Sequence, residues 1–203
     1  MTPANNPATL FDFYAETLAQ TQPFDGQYPR PWMTDLTDPL DANCFIVGKN
    51  QRNRYPVGAV DHVRHVNALF NRNGESCRAL YEELCEPSPT RKNTDRLSGK
   101  LKAAGARVLE TNVICFSSPM SSDLTRIQKQ KGSAIFEWLL ARLQPKVIIV
   151  HGEGAARALS KVATGKAIII RMPSLAPPAY QKWHFESEKI MNETVSAATA
   201  ALA

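Results

Sequence analysis

The sequence predicts an α/β fold: a three-layer α/β/α sandwich around a short, mostly parallel four-stranded sheet. Two observations carry this. The candidate strands are continuous apolar runs, as strands covered on both faces require. Strands also alternate with segments of helical spacing, the pattern of parallel strands joined by crossovers.

The elements follow in order. Leu10, Phe11, Phe13, Tyr14 and Leu18 recur at helical spacing and predict a short amphipathic helix. Residues 22–39 hold Pro23, Pro29, Pro31 and Pro39 and read as an irregular connection, anchored by Phe24, Tyr28 and Trp32. Residues 1–40 are therefore assigned to an N-terminal arm packed on a domain formed by 41–203. Cys44-Phe45-Ile46-Val47, stopped by Gly48, is the first strand. Residues 62–70 and 77–84 have helical spacing. Residues 86–95 (EPSPTRKNTD) are polar, carry two prolines and are expected to form a mobile loop. Residues 96–104 predict a helix ending at Gly105. Residues 108–116 are the second strand, and 117–122 a loop. Residues 135–143 (IFEWLLARL) predict a helix stopped by Pro145. Residues 146–150 are the clearest strand, followed by Gly152-Glu153-Gly154 and a helix over 155–162. The fourth strand is 167–170, ahead of Pro173, and 186–202 form a C-terminal helix.

A chain of 203 residues accommodates one domain, or one domain with an arm. No apolar run approaches the ~18–20 residues of a membrane-spanning helix. The N-terminus lacks the basic start and apolar core of a signal peptide, so a cytoplasmic location without membrane association is expected. Cys44, Cys77, Cys85 and Cys115 form no C-x-x-C pair, which argues against a zinc ribbon or a thioredoxin-type site. The four histidines include no H-x-x-x-H pair, and no metal is expected. The formal net charge of +5 is a mild hint of a polyanionic partner and decides little alone.

Right-handed crossovers place all strand C-termini on one edge, where open α/β sheets bind ligands. Four loops should converge there: 48–51, 115–119, 151–154 and 171–174. Three chemistries fail for want of a motif: a P-loop, a G-x-S-x-G elbow and a G-x-G-x-x-G fingerprint are all missing. Gly152-Glu153-Gly154 reads first as a tight turn. It is also a place where backbone amides would meet the anion of a phosphate-binding metabolic enzyme.

Four segments register together: FIVGKNQ (45–51), ETNVICFSSP (110–119), KVIIVHGEGAARAL (146–159) and MPSLAPP (172–178). In this order they resemble the uracil-DNA glycosylase superfamily, nearest to its small bacterial branches, over about residues 43 to 180. The resemblance implies a monofunctional DNA glycosylase that hydrolyses the N-glycosylic bond of a flipped base, uracil or hypoxanthine. It implies a role for Asn50 in positioning the attacking water. Tyr55 would stack on the base and Asn112 would read its edge, an amide offering both donor and acceptor. Lys49, Arg52, Arg171 and Ser174 would contact DNA or the leaving base. Damaged DNA, single- or double-stranded, is the implied partner, with no cofactor and a monomeric protein.

The chain also departs from the family. Gln51 and Arg52 replace the Pro-Gly of the first motif, and Met172 stands where most branches have His and one has Asn. A thioether has no proton to donate to a leaving base. No close cysteine pair matches the iron–sulfur branches, so no cluster is expected. Plainer readings stand beside each role. Asn50 also suits a turn cap, Asn112 also suits a bond to backbone, Tyr55 and Met172 suit packing, and Lys49, Arg52 and Arg54 suit a solvated loop. The alternative function is a non-catalytic nucleic-acid or nucleotide-binding protein on the same fold.

Overall fold

The structure, a computed structural model, describes residues 9–176 and 185–203. Pro177 and Pro178, the end of the fourth motif, lie outside the described residues. Helix α1 (Leu10–Gln20) opens on a capping box: the Thr9 hydroxyl accepts from the Asp12 amide, and the Asp12 carboxylate accepts from the Thr9 amide. A 3-10 turn (Pro39–Asp41) leads into β1 (Cys44–Gln51). Then come α2 (His62–Leu69), α3 (Cys77–Leu84), α4 (Pro89–Ala103) and β2 (Val108–Ser117). Helix α5 (Arg126–Leu143), β3 (Val147–His151), α6 (Glu153–Leu159), β4 (Ile168–Met172) and α7 (Phe185–Leu202) complete the chain.

The four strands form one sheet in the order β2-β1-β3-β4, and every pairing is parallel. Side chains alternate between its two faces. Cys44 and Ile46 of β1 pack with Leu97 and Leu101 of α4 and Met191 of α7. Phe45 and Val47 join the larger core on the opposite face, with Leu69, Leu80, Phe136 and Leu159. The expected α/β/α sandwich is thus the observed architecture.

Residues 9–40 belong to that larger core. Phe13 and Trp32 stack with ring centroids 5.3 Å apart, and both are fully buried. Residues 27–33 run beside β2: the Arg30 amide donates to the Cys115 carbonyl, and Met33 and Glu110 exchange two backbone hydrogen bonds.

Three segments differ from expectation: β1 does not stop at Gly48 but continues to Gln51, since β2 beside it still offers partners to Gly48, Asn50 and Gln51. The polar run 86–95 is not a loop throughout, because α4 begins at Pro89. Ser88 caps it by accepting from the Arg91 amide, and proline suits the first helical position, where its missing N–H has no partner to lose. The buried stripe Thr94, Leu97, Ser98 and Leu101 holds the helix on the sheet, while Arg78 and Arg91 both pair with Asp95. Helix α5 starts at Arg126, nine residues before the apolar stretch that signals it, on a Thr125–Gln128 capping box.

Candidate functional site

A cleft of about 730 Å³ opens at the C-terminal ends of β1, β2 and β3, on the face covered by α4. Its floor is set by strand register. Gly48 of β1 pairs with Asn112 of β2, and Val47 pairs with Val150, which sets His151 beside Gly48 on the other flank. A β-carbon on Gly48 would stand 2.5 Å from Asn112 Oδ1 and 3.1 Å from His151 Nε2. Glycine is thus what lets an amide and an imidazole meet over the middle strand.

Neither group is consumed by the fold. Among the described residues, the Asn112 side chain has no hydrogen-bond partner, and His151 Nε2 has none. His151 Nδ1 accepts from the Leu175 amide at 3.4 Å. With Nδ1 an acceptor, the network assigns the ring proton to Nε2. Burial pushes the His151 pKa down to about 4, so the ring is neutral near pH 7. It is a neutral donor aimed at the space that Asn112 faces.

Asn50 lines the same cleft, two residues beyond Gly48 on the same strand. Its Nδ2 donates to Ser118 Oγ at 3.2 Å and to the Gln51 carbonyl at 3.1 Å, which fixes the amide plane and leaves Oδ1 without a partner among the described residues. The register slips at this point: Asn50 opposes Ile114, while Gln51 opposes Ser117. Such irregularities re-aim side chains at strand ends. Gln51 has a structural task. It is 5% exposed, its Nε2 donates to the Arg30 carbonyl, and its Oε1 accepts from Ser117 Oγ at 3.3 Å.

The other expected site residues divide. Lys49, Arg52 and Ser174 line the cleft, with Lys49 Nζ donating to Ser121 Oγ at 2.8 Å. Gly152 has a φ of +82°, where a β-carbon is strained, and its position sets His151 against the Ser174 turn. Arg171 is exposed on β4 and is not brought to the cleft. Nor is Tyr55. It is 3% exposed and packs in the core against Arg30 and edge-on to His65, and burial raises its phenol pKa to about 12. Its plainer reading, a packing aromatic, describes its position. Met172 pairs with His151 and is buried, so an imidazole sits one strand away from the position where the thioether offers no proton.

Four cleft residues, His151, Arg30, Arg91 and Glu110, are given no role by the sequence. His151 ends an apolar strand on the convergent edge, a signal that was available. Arg30 comes from an aperiodic, proline-rich segment. Arg91 and Glu110 form an ion pair of 2.6 Å with both side chains 14% exposed, visible only once α4 docks on β2. Among the described residues, no three His, Cys, Asp or Glu side chains gather to hold a metal, and no helix is long and apolar enough to cross a membrane. No protein-family model matches the chain, and no curated protein matches it.

Proposed function

We propose that the chain is a DNA glycosylase of the uracil-DNA glycosylase type, acting on a base extruded into the cleft. One observation carries the reading: a free asparagine amide and a neutral imidazole N–H converge over Gly48, beside a second amide with a free acceptor. A lactam edge, with a ring N–H beside a carbonyl, is what uracil and hypoxanthine present. Asn112 complements it, Oδ1 accepting from the ring N–H and Nδ2 donating to the carbonyl.

The chemistry follows from the charge that develops. As the C1′–N bond lengthens, the sugar becomes oxocarbenium-like and the base takes the electron pair. His151 Nε2–H would donate to the base oxygen where that charge collects. A preorganised donor in a cleft of this kind is worth roughly two to three orders of magnitude in rate. Asn50 Oδ1 would hold a water by accepting one of its hydrogens. An amide is too weak a base to remove the proton fully, so Asn50 positions the water. The water oxygen bonds to C1′, its proton is released, and the base leaves as an anion to be protonated by solvent.

The test uses single- and double-stranded oligonucleotides carrying uracil, hypoxanthine or xanthine, with abasic sites cleaved by alkali. Scission by the wild-type chain, lost in Asn50→Ala and reduced in His151→Ala, supports the reading. Salt-sensitive binding with no scission on any substrate replaces it with a binding module.

A further inference from the structure

Arg30 is an unusual cation. Its guanidinium carbon sits 4.8 Å from the Tyr55 ring centroid and 5.0 Å from that of Tyr81. Nη1 donates to Cys85 Sγ at 3.9 Å. Among the described residues, no carboxylate pairs with it. Its backbone is pinned on both sides, the amide to the Cys115 carbonyl and the carbonyl to Gln51 Nε2. The gap behind it, towards His65 and Leu69, has no room for a water. Arg30 also hydrogen-bonds the Tyr55 side chain, and it lines the cleft that holds Asn112 and His151.

The charges on the α4 side of the cleft are spent. Arg91 is paired with Glu110 and Asp95, and Asp95 is paired again with Arg78. A half-buried cation costs free energy unless something compensates it. Two π faces, a thiol and the Tyr55 side chain, all neutral at pH 7, compensate Arg30 without supplying a counter-charge. The rigid fork of an arginine, held by its backbone and by ring stacking, suits a phosphate group.

We infer that Arg30 anchors a phosphate-binding subsite within the cleft, one that takes the phosphate of a nucleotide or of a nucleic-acid strand. Arg52, exposed at the same cleft, adds a second positive charge to its lining. The subsite reads phosphate whatever base accompanies it, so it stands apart from the base chemistry proposed above.

The experiment titrates wild-type protein, Arg30→Gln and Arg30→Lys with inorganic phosphate, deoxyuridine monophosphate, deoxyuridine and a short uracil-containing oligonucleotide, reading affinity calorimetrically. Wild-type protein is expected to bind the phosphate-bearing probes and to favour the monophosphate over the nucleoside. Arg30→Gln is expected to weaken phosphate binding by about ten-fold or more, as loss of a charge-assisted fork implies. The tighter of monophosphate and oligonucleotide identifies the source of the phosphate. Equal phosphate binding by wild type and Arg30→Gln, or none by the wild type, overturns the inference. Should Arg30→Gln lose its native circular dichroism, Arg30→Lys decides: it keeps the charge without the fork, and unchanged phosphate affinity overturns the subsite. Asn50→Ala is expected to bind phosphate normally. Excision without Arg30-dependent phosphate binding therefore sinks this inference alone, and phosphate binding without excision sinks only the glycosylase reading.

Discussion

The side-chain oxygen of Asn112 lies 2.5 Å from where a β-carbon on Gly48 would stand. No real β-carbon tolerates that approach, so the two positions on neighbouring strands are sterically linked. Gly48→Ala is expected to push the amide out of the cleft, abolish the base recognition proposed for it and cost roughly 1–3 kcal/mol of stability as an overpacked site. In an Asn112→Ala background the same substitution should cost measurably less, because its main obstacle is gone. Urea denaturation of the four proteins checks this, and strictly additive losses would refute the linkage.

Two helical glycines should respond with opposite signs. On α5, a β-carbon at Gly132 would meet the Cys115 backbone nitrogen and Ile114 Cγ2, each at 2.9 Å. Backbone cannot swing aside, so Gly132→Ala should lose about 1–3 kcal/mol as α5 is forced off β2. On α4, a β-carbon at Gly99 would meet nothing within 4 Å. Gly99→Ala should gain about 0.5–1 kcal/mol from helix propensity alone. Thermal or urea midpoints of the pair decide it.

Acid should unfold the protein through its histidines before its carboxylates. Burial holds the His65 pKa near 3 and that of His151 near 4, against an ordinary 6.5. Between those values the unfolded chain binds protons that the folded chain refuses. Stability is therefore complete above about pH 6.5 and falls as pH drops towards 4 and then 3, by up to about 1.4 kcal/mol per pH unit for each histidine. Urea midpoints at pH 7, 6 and 5 should fall in that order. His65→Gln keeps a donor for the Pro29 carbonyl, now 3.0 Å from His65 Nε2, and should flatten the slope.

The Arg91–Glu110 pair offers a third kind of test. Glu110→Gln leaves the Arg91 guanidinium, 14% exposed, paired with Asp95 alone, and a loss of about 1–3 kcal/mol is expected. Replacing both residues by leucine should cost less than the single change, since no half-paired cation is left and Asp95 keeps Arg78. Equilibrium unfolding of both variants measures the difference.

Most of the scaffold was legible in the chain because buried parallel strands leave an unbroken apolar signature. Residues 44–47 and 147–150 fall in the observed strands. The start of α4 was not legible because proline both ends helices and begins them, and only the Ser88 cap, a three-dimensional bond, decides which. Asn50, just after an apolar run, and Asn112, within one, are picked out through the family resemblance of the segments around them. Tyr55 could not be placed from sequence: an aromatic in a loop stacks on a ligand or packs inward according to its neighbours, and its neighbours Arg30 and His65 come from other segments. Arg30 itself escapes any reading by periodicity, since its setting depends on Tyr81 and Cys85, more than fifty positions away.

All four cysteines are buried and free: Cys44 in β1, Cys115 in β2, Cys77 in α3 and Cys85 just beyond it. Burial raises every one of these thiols, to about 12 for Cys44 and Cys77, so almost no thiolate exists at neutral pH. The native protein is therefore expected to resist alkylating agents and mild oxidants. A labelling reagent modifies a given sulfur only while its surroundings have parted, and the order in which the four sulfurs react maps which region lets go first.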